Sequence, residues 1–388
     1  MGDSKATVNT TSSSSDMSIA PVKVATRKLA SSISGRSLDT PNLLITTSRC
    51  CVPHLTPDIF HRTMQPDDYC GLLVTLETLM EDDSVLARTS PYRLDHLIGY
   101  KNTPILVASN DPLYYRGIYL KNSTVDASLK LSNGADWVSL VKDSGVSTLN
   151  LKNTLPMILK NLSPAAIIAP SDHYHMTSSR LKRIIKSTNT TNTYLDHTKE
   201  ASSGKTLVIP SIALHETCAE AEEKSHLVMY EMQRRIDLAK AASSTMISII
   251  YQDDKDLSSM LKDLSTHTII IRGVVPPEKF ISYSNAGIRA IFESVYATDL
   301  ATQGVAINID LSTGNTTRLF LNDVSFFTDY SPLSNSCKCI ACNGPDKTTK
   351  SYIHHLVLTK EMLASVFLSS HNLWQYASYL KSLRQSNL

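Results

Sequence analysis

Residues 246–251 read MISIIY and residues 268–271 read TIII, with the helix-like segment 256–264 (DLSSMLKDL) between them. Short apolar runs of this kind suit strands buried on both faces, and a helical link makes the pair a βαβ unit of a parallel sheet. The alternation continues in both directions. Strands are predicted at 21–26 (PVKVAT), 42–46 (NLLIT), 104–108 (PILVA), 165–169 (AAIIA), 206–210 (TLVIP) and 304–309 (GVAINI). Helical stretches are predicted over 178–188, 215–242 and 277–286, and Thr56-Pro57-Asp58 offers a capping threonine with proline at the first helical position. About 250 residues of β–α alternation fit a (β/α)8 barrel, with an open doubly wound sheet as the alternative.

The 388 residues are 42% hydrophobic and 19% charged, and 38 Lys+Arg against 36 Asp+Glu leave a net charge of +2. A uniformly basic nucleic-acid coat is excluded; a local basic patch is not. No window approaches the roughly 18 apolar residues of an integral membrane segment. The 13 glycines are about half the usual ~7% share, and none are adjacent or one residue apart, so Rossmann and P-loop cofactor sites lose their main support. Residues 1–17 are polar and Ser/Thr-rich, and they read as a disordered tail without a secretory signal. Ala6 stands where an N-myristoylation motif wants Ser or Thr. Lys23, Arg27, Lys28 and Arg36 form an acid-free stretch that resembles a mitochondrial address, against which Asp3 and Asp16 argue. The expected division is tail 1–17, barrel with N-terminal β-strands 18–330, and a C-terminal zinc-binding subdomain 331–388. A cytoplasmic location is expected, with peripheral association at the mitochondrial outer membrane as a second option.

Seven cysteines in a chain without a signal favour reduced thiols and metal binding over disulfides. Cys337, Cys339 and Cys342 form a C-x-C-x2-C cluster that can converge on one ion; tetrahedral zinc then needs a fourth ligand at about 2.0–2.3 Å. His354, His355 and His371 lie downstream. Ile353, Leu356, Val357, Ala364, Phe367 and Leu368 make one apolar stripe that His371 continues, whereas His354 and His355 fall off it. His371 is therefore the expected fourth ligand, and four protein ligands imply one structural ion. Cys50, Cys51, Cys70 and Cys218 read as ordinary core or surface thiols.

The cysteine cluster, followed by Ser351-Tyr352-Ile353-His354-His355-Leu356 and Ser370-His371-Asn372, resembles the zinc module of tRNA-guanine transglycosylases. Segments 53–58 (PHLTPD), 272–278 (RGVVPPE) and 286–294 (AGIRAIFES) are similar to the same family. The resemblance implies a (β/α)8 barrel with Zn2+ on Cys337, Cys339, Cys342 and His371. It also implies exchange of guanine for queuine at wobble position 34 of tRNAs with GUN anticodons. Catalytic members use an aspartate nucleophile and a second carboxylate that manages protons. Three departures stand out. Their D-S-G-G-F-Q-type motif is here Ala108-Ser109-Asn110-Asp111-Pro112-Leu113, their G-[IV]-D-x-F-D segment carries Arg289 and Glu293, and their glycine-rich base-recognition run is replaced by ISIIYQDDKD at 247–256. An added methylene displaces a carboxylate by over an ångström, and about 1 Å can cost roughly 100-fold in rate.

The pattern resembles the accessory, non-catalytic members of the family, which implies a heterodimer with a catalytic subunit, tRNA as ligand, and no catalytic residue in this chain. The competing reading is a divergent enzyme using Glu293 or Asp111; a third, an unrelated zinc-bearing RNA-binding module, leaves 272–294 unexplained. Arg180, Lys182, Arg183, Lys186, Lys347, Lys350, Lys381 and Arg384 are expected phosphate contacts, each with solvation of a helix face as its alternative. Asp172 and His173 sit where barrel sites form. Helix 215–242, with Glu216, Glu220, Glu231, Arg234 and Arg235, reads as a solvated, ion-laced outer helix.

Overall fold

Alternating Ile, Leu and Val side chains along each strand build two apolar layers around one parallel sheet. Leu44, Leu73, Leu106, Ile168, Ile209, Met246, Ile270 and Ile291 meet inside it. Their neighbours Leu43, Ile45, Leu72, Val74, Ile247, Ile249, Ile269 and Ile271 pack outward against helices. The structure is a computed structural model that describes residues 32–33, 36–80, 94–109, 136–142, 145–171, 181–213, 225–250, 261–344 and 347–386. The expected tail 1–17 and strand 21–26 lie outside the described residues.

Nine hydrogen-bonded segments form the sheet, and they amount to eight staves. These are β1 Asn42–Thr46, β2 Gly71–Thr75, β3 Ile105–Ala108, β4 Ala166–Ile168, β5 Leu207–Ile209 continued as Ser211–Ala213, β6 Met246–Ile250, β7 Thr268–Arg272 and β8 Arg289–Glu293. The two halves of β5 meet at Pro210, which lacks an amide hydrogen and lets the stave change partners. Its first half pairs with β4 (Ile168↔Ile209) and its second with β6 (Ser211↔Ser248). β8 pairs with β1 (Ile291↔Asn42), so the ring closes into the expected (β/α)8 barrel.

Several elements differ from the sequence reading. β2 (GLLVT) and β8 (RAIFE) were not among the expected strands: the first runs directly into the turn Leu76–Leu79, and the second begins and ends in charge. The helix predicted at 178–188 is seen as α1, Leu181–Ser202, across a Thr/Asn-rich stretch of poor helix propensity. Thr188, Thr190, Thr193 and Thr198 each donate a hydroxyl to the carbonyl four residues back, and Tyr194 and Thr198 are buried. The next helix, α2 (Ser225–Ala241), is not merely solvated: Glu231 and Arg235 are buried against α1, where Arg235 Nε donates to Thr188 Oγ1 at 2.7 Å.

Beyond the barrel, α3 (Val295–Thr302) leads to the hairpin β9 (Val305–Ile309) and β10 (Thr316–Phe320), which pair antiparallel. Three helices follow: α4 Ile340–Asn343, α5 Lys350–Leu358 and α6 Met362–Gln385. The stripe read as continuous over 353–371 is thus broken between α5 and α6, where Lys360 adopts φ 57°. α6 returns to the amino-terminal end of the barrel strands, opposite the mouth. Lys381 pairs with Asp68 at 3.0 Å, and Arg384 donates to the carbonyls of Pro41 and Asp67.

Ile270 is fully buried inside the ring. Ile270→Ala should therefore destabilise the chain by about 2–5 kcal/mol, read as a lower urea midpoint with an unchanged slope.

Candidate metal centre and barrel mouth

The cysteine loop folds as its residues dictate. Cys337 and Cys339 precede α4, Cys339 is its N-cap, and Cys342 lies one turn on, so the three sulfurs face one point. Gly344 ends the turn, where an added Cβ would meet the Ile340 carbonyl at 2.6 Å. His371 arrives from α6. Cys337, Cys339, Cys342 and His371 are all buried, and their ligand atoms lie within 4.8 Å of one another.

His371 is oriented by its surroundings. Its Nε2 lies 2.9 Å from the Ile307 carbonyl and 3.2 Å from Asn308 Oδ1. A carbonyl can only accept, so Nε2 carries the proton and Nδ1 keeps its lone pair. That Nδ1 faces Cys342 Sγ at 3.4 Å and Cys339 Sγ at 3.7 Å. Tetrahedral bonds of about 2.0–2.3 Å imply edges of about 3.5–3.8 Å, close to these separations. The neighbouring Asn372 reads the same strand residue: its Oδ1 accepts from Ile307 N, and its Nδ2 donates to Ala297 O and Val305 O. A carbonyl behind a ligating imidazole fixes ring orientation and raises its basicity.

The thiols cannot share one protonation state comfortably. Burial pushes Cys337 far up, while hydrogen bonds from Cys337 and Cys339 pull Cys342 far down. Thiolates this close and this buried need a cation among them, so the donor set fits a metal ion that organises structure. The other histidines behave differently. His355 is exposed, whereas His354, expected off the buried face, is itself buried, with Nδ1 2.7 Å from the Leu321 carbonyl. Packing of α5 against the turn at Phe327, 6.3 Å from the His354 ring, accounts for the difference.

At the carboxyl ends of the barrel strands, Glu293 is held on both oxygens. Arg272 Nε donates to Oε1 at 2.9 Å and Gly273 N donates to Oε2 at 2.8 Å. The second contact needs the backbone to turn back on itself, which Gly273 allows at φ 113°. Arg272 Nη2 also donates to the Ser109 carbonyl at 2.9 Å. Both side chains are nearly inaccessible, 7% and 5% exposed, so this is an ion pair inside the mouth and not a carboxylate open to a ligand. Sequence reasoning singled out Glu293 but not its partner. Arg272 and Glu293 end the neighbouring strands β7 and β8 with inward parity, but β8 was not among the expected strands, so no sequence signal joined them. Arg289 lies at the other end of β8, where it donates to the Thr266 carbonyl. Asp111, Asp172 and His173 lie outside the described residues.

The expected phosphate contacts divide sharply. Lys381 and Arg384 tether α6 to the barrel, and Lys350 bonds Asp329 and Ser331. Hydrogen bonds from Ser331, with Lys350 beside it, hold Asp329 down to about 2. Lys182, Lys186 and Lys347 are exposed; Arg180 and the side chain of Arg183 lie outside the described residues. Cys50, Cys51 and Cys70 are reduced thiols that form no disulfide, and Cys218 lies outside the described residues.

A parallel eight-stave barrel followed by a buried Cys3His cluster that could hold a metal ion defines the class. The sequence model described as queuine tRNA-ribosyltransferase matches residues 25–386, and the chain belongs to that family. It is similar to the queuine tRNA-ribosyltransferase accessory subunit 2 of Drosophila mojavensis, at 23% identity over 373 residues, covering 90% of this chain and 83% of the fly protein. The protein of the same name from Trichoplax adhaerens is 23% identical over 357 residues, covering 90% and 89%. That of Caenorhabditis elegans is 30% identical over 142 residues, covering 34% and 37%. No described helix is long and apolar enough to cross a membrane.

Replacing Cys342 by Ser should lower the bound metal from one ion per chain to well below half by elemental analysis. Melting should fall by about 1 °C for each kcal/mol lost, and a strong chelator should reproduce the effect on the wild-type chain.

Proposed function

We propose that this chain is the non-catalytic, Zn2+-clasped subunit of a queuine tRNA-ribosyltransferase heterodimer. It supports the exchange of guanine for queuine at wobble position 34 of tRNAs with GUN anticodons. The observation that carries the reading is the state of Glu293. A nucleophile must be free to approach the sugar carbon, and this carboxylate spends both oxygens on Arg272 and Gly273. The ion on Cys337, Cys339, Cys342 and His371 is structural zinc in this reading, since three thiolates and an imidazole close its coordination sphere.

An exposed apolar surface supports a protein partner. Val324, Phe327 and Tyr330 are 79%, 65% and 74% exposed, and Phe320, Leu358 and Met362 are open as well. They gather around α5, where Ser351 and Lys350 fix the 327–331 turn. Aromatic groups of this kind anchor protein interfaces. The occupant we assign is the catalytic subunit, because the relatives are named as accessory subunits. Lys182, Lys186 and Lys347 are the cations left available to tRNA phosphates.

Assays of each chain alone and of both together test the proposal. The expected result is no base exchange by this chain alone and full exchange with its partner; exchange by the isolated chain, with a covalent tRNA adduct lost in Glu293→Gln, overturns it in favour of a divergent enzyme. Phe327→Asp with Tyr330→Asp should weaken heterodimer formation at least 10-fold by analytical ultracentrifugation while leaving the metal content at one ion.

A further inference from the structure

Between β3 and β4 the chain makes a hairpin, Trp137–Lys142 with Gly145–Asn150, whose strands pair with each other and with no stave. Its base rests on α1. Tyr194 donates its hydroxyl to the Trp137 carbonyl at 2.9 Å, and the Asp136 carbonyl closes the base by accepting from Leu151 N at 2.9 Å. His197 lies three residues beyond Tyr194, so it shares the helix face that meets the hairpin. There Asp136 Oδ1 stands 2.9 Å from His197 Nε2, and Glu200 Oε2 stands 3.7 Å from Nδ1. Lys152 Nζ, 3.0 Å from Asp136 Oδ1, completes the group. The other charges nearby point elsewhere. Asp196 and Lys199 on α1 and Lys160 on the adjoining helix Thr154–Leu162 are exposed. From α2, Glu231 pairs with Arg234, while Arg234 and Arg235 engage Asn189 and Thr188, two turns away.

Both nitrogens of His197 are sealed from solvent, and neither makes a hydrogen bond of good geometry. A neutral imidazole has one N–H and one lone pair, whereas an ionised carboxylate can only accept. With a carboxylate on each side, either neutral tautomer turns a lone pair toward negative oxygen; an imidazolium presents a donor both ways. The charges agree. Two carboxylates beside one ammonium leave a negative surplus that a protonated ring cancels. The hydrogen bond from Lys152 holds Asp136 below the usual carboxylate range, so its charge persists well under neutral pH. We propose that His197 is a proton-operated latch that fastens the 137–150 hairpin to α1. The docked form binds the proton, so its hold strengthens as pH falls and relaxes as pH rises through the imidazole range.

Hydrogen exchange of the full chain, followed by mass spectrometry at about pH 6 and about pH 8 and corrected for intrinsic rates, reads the latch. Amides of the two hairpin strands should be about 2–5-fold better protected at the lower pH, with those of β6 unchanged as the internal reference. The difference should vanish in His197→Gln, whose amide stays neutral throughout. Should that variant not fold, Asp136→Asn supplies the same comparison. Equal protection of the wild-type hairpin at the two pH values overturns the proposal. So does a difference that survives His197→Gln or, in its place, Asp136→Asn. Neither a partner chain nor tRNA enters the measurement, so its outcome is separate from that of the heterodimer assays.

Discussion

The hydrogen bond between His371 Nε2 and the Ile307 carbonyl joins the sulfur cluster to the rest of the molecule. β9 pairs with β10 along one edge only, which leaves the other edge with unpaired backbone groups. α6 covers it with side chains instead of a strand: His371 takes the Ile307 carbonyl, Asn372 takes the Ile307 amide, and Gln375 accepts from Ile309 N at 3.3 Å. The covering also selects the imidazole tautomer. Remove the edge, and the ring nitrogen that faces the thiols is no longer fixed. Metal site and sheet edge therefore solve one another's problem, and neither is local to the cysteine loop.

A second constraint sits inside the barrel. Two ions as inaccessible as Arg272 and Glu293 are costly to take from water, and their pairing offsets that cost only with good geometry. Here the geometry is supplied by the chain itself, through the Gly273 amide and the Ser109 carbonyl. Such a pair adds little net stability relative to well-packed apolar residues of similar volume, but losing one member leaves a buried charge alone. The carboxylate is thus committed to the architecture of the mouth. Its position at the end of a barrel strand, usually a mark of chemistry, here belongs to a closed ion pair.

Much of this was legible in the residues and some was not. The strands at 42–46, 246–251 and 268–271 announce themselves because they are apolar runs bounded by polar ones. The buried Cys3His group is equally plain, since three thiols lie within six residues and the imidazole lies on a buried helical face. His354 was misplaced because the stripe through Ile353, Leu356 and Val357 covers only part of the buried face of α5, which the turn at Phe327 widens. β8 stayed hidden because a strand that opens on Arg289 and closes on Glu293 presents only three apolar residues. The Thr/Asn half of α1 resists propensity arguments altogether, since its hydroxyls satisfy themselves on carbonyls of the preceding turn. Nothing local reveals that Arg272 meets Glu293; only the register of β7 against β8 does so.

The grip of Arg384 on the carbonyls of Pro41 and Asp67 ties the last helix to the entrance of the first two staves. A ribosome delivers those staves several hundred residues before it delivers their fastener. β1 also lacks its second neighbour until β8 emerges. The nascent chain must therefore keep an open-edged, apolar half-ring out of trouble for most of its synthesis, which makes this protein a natural client for chaperones that shelter unfinished sheets.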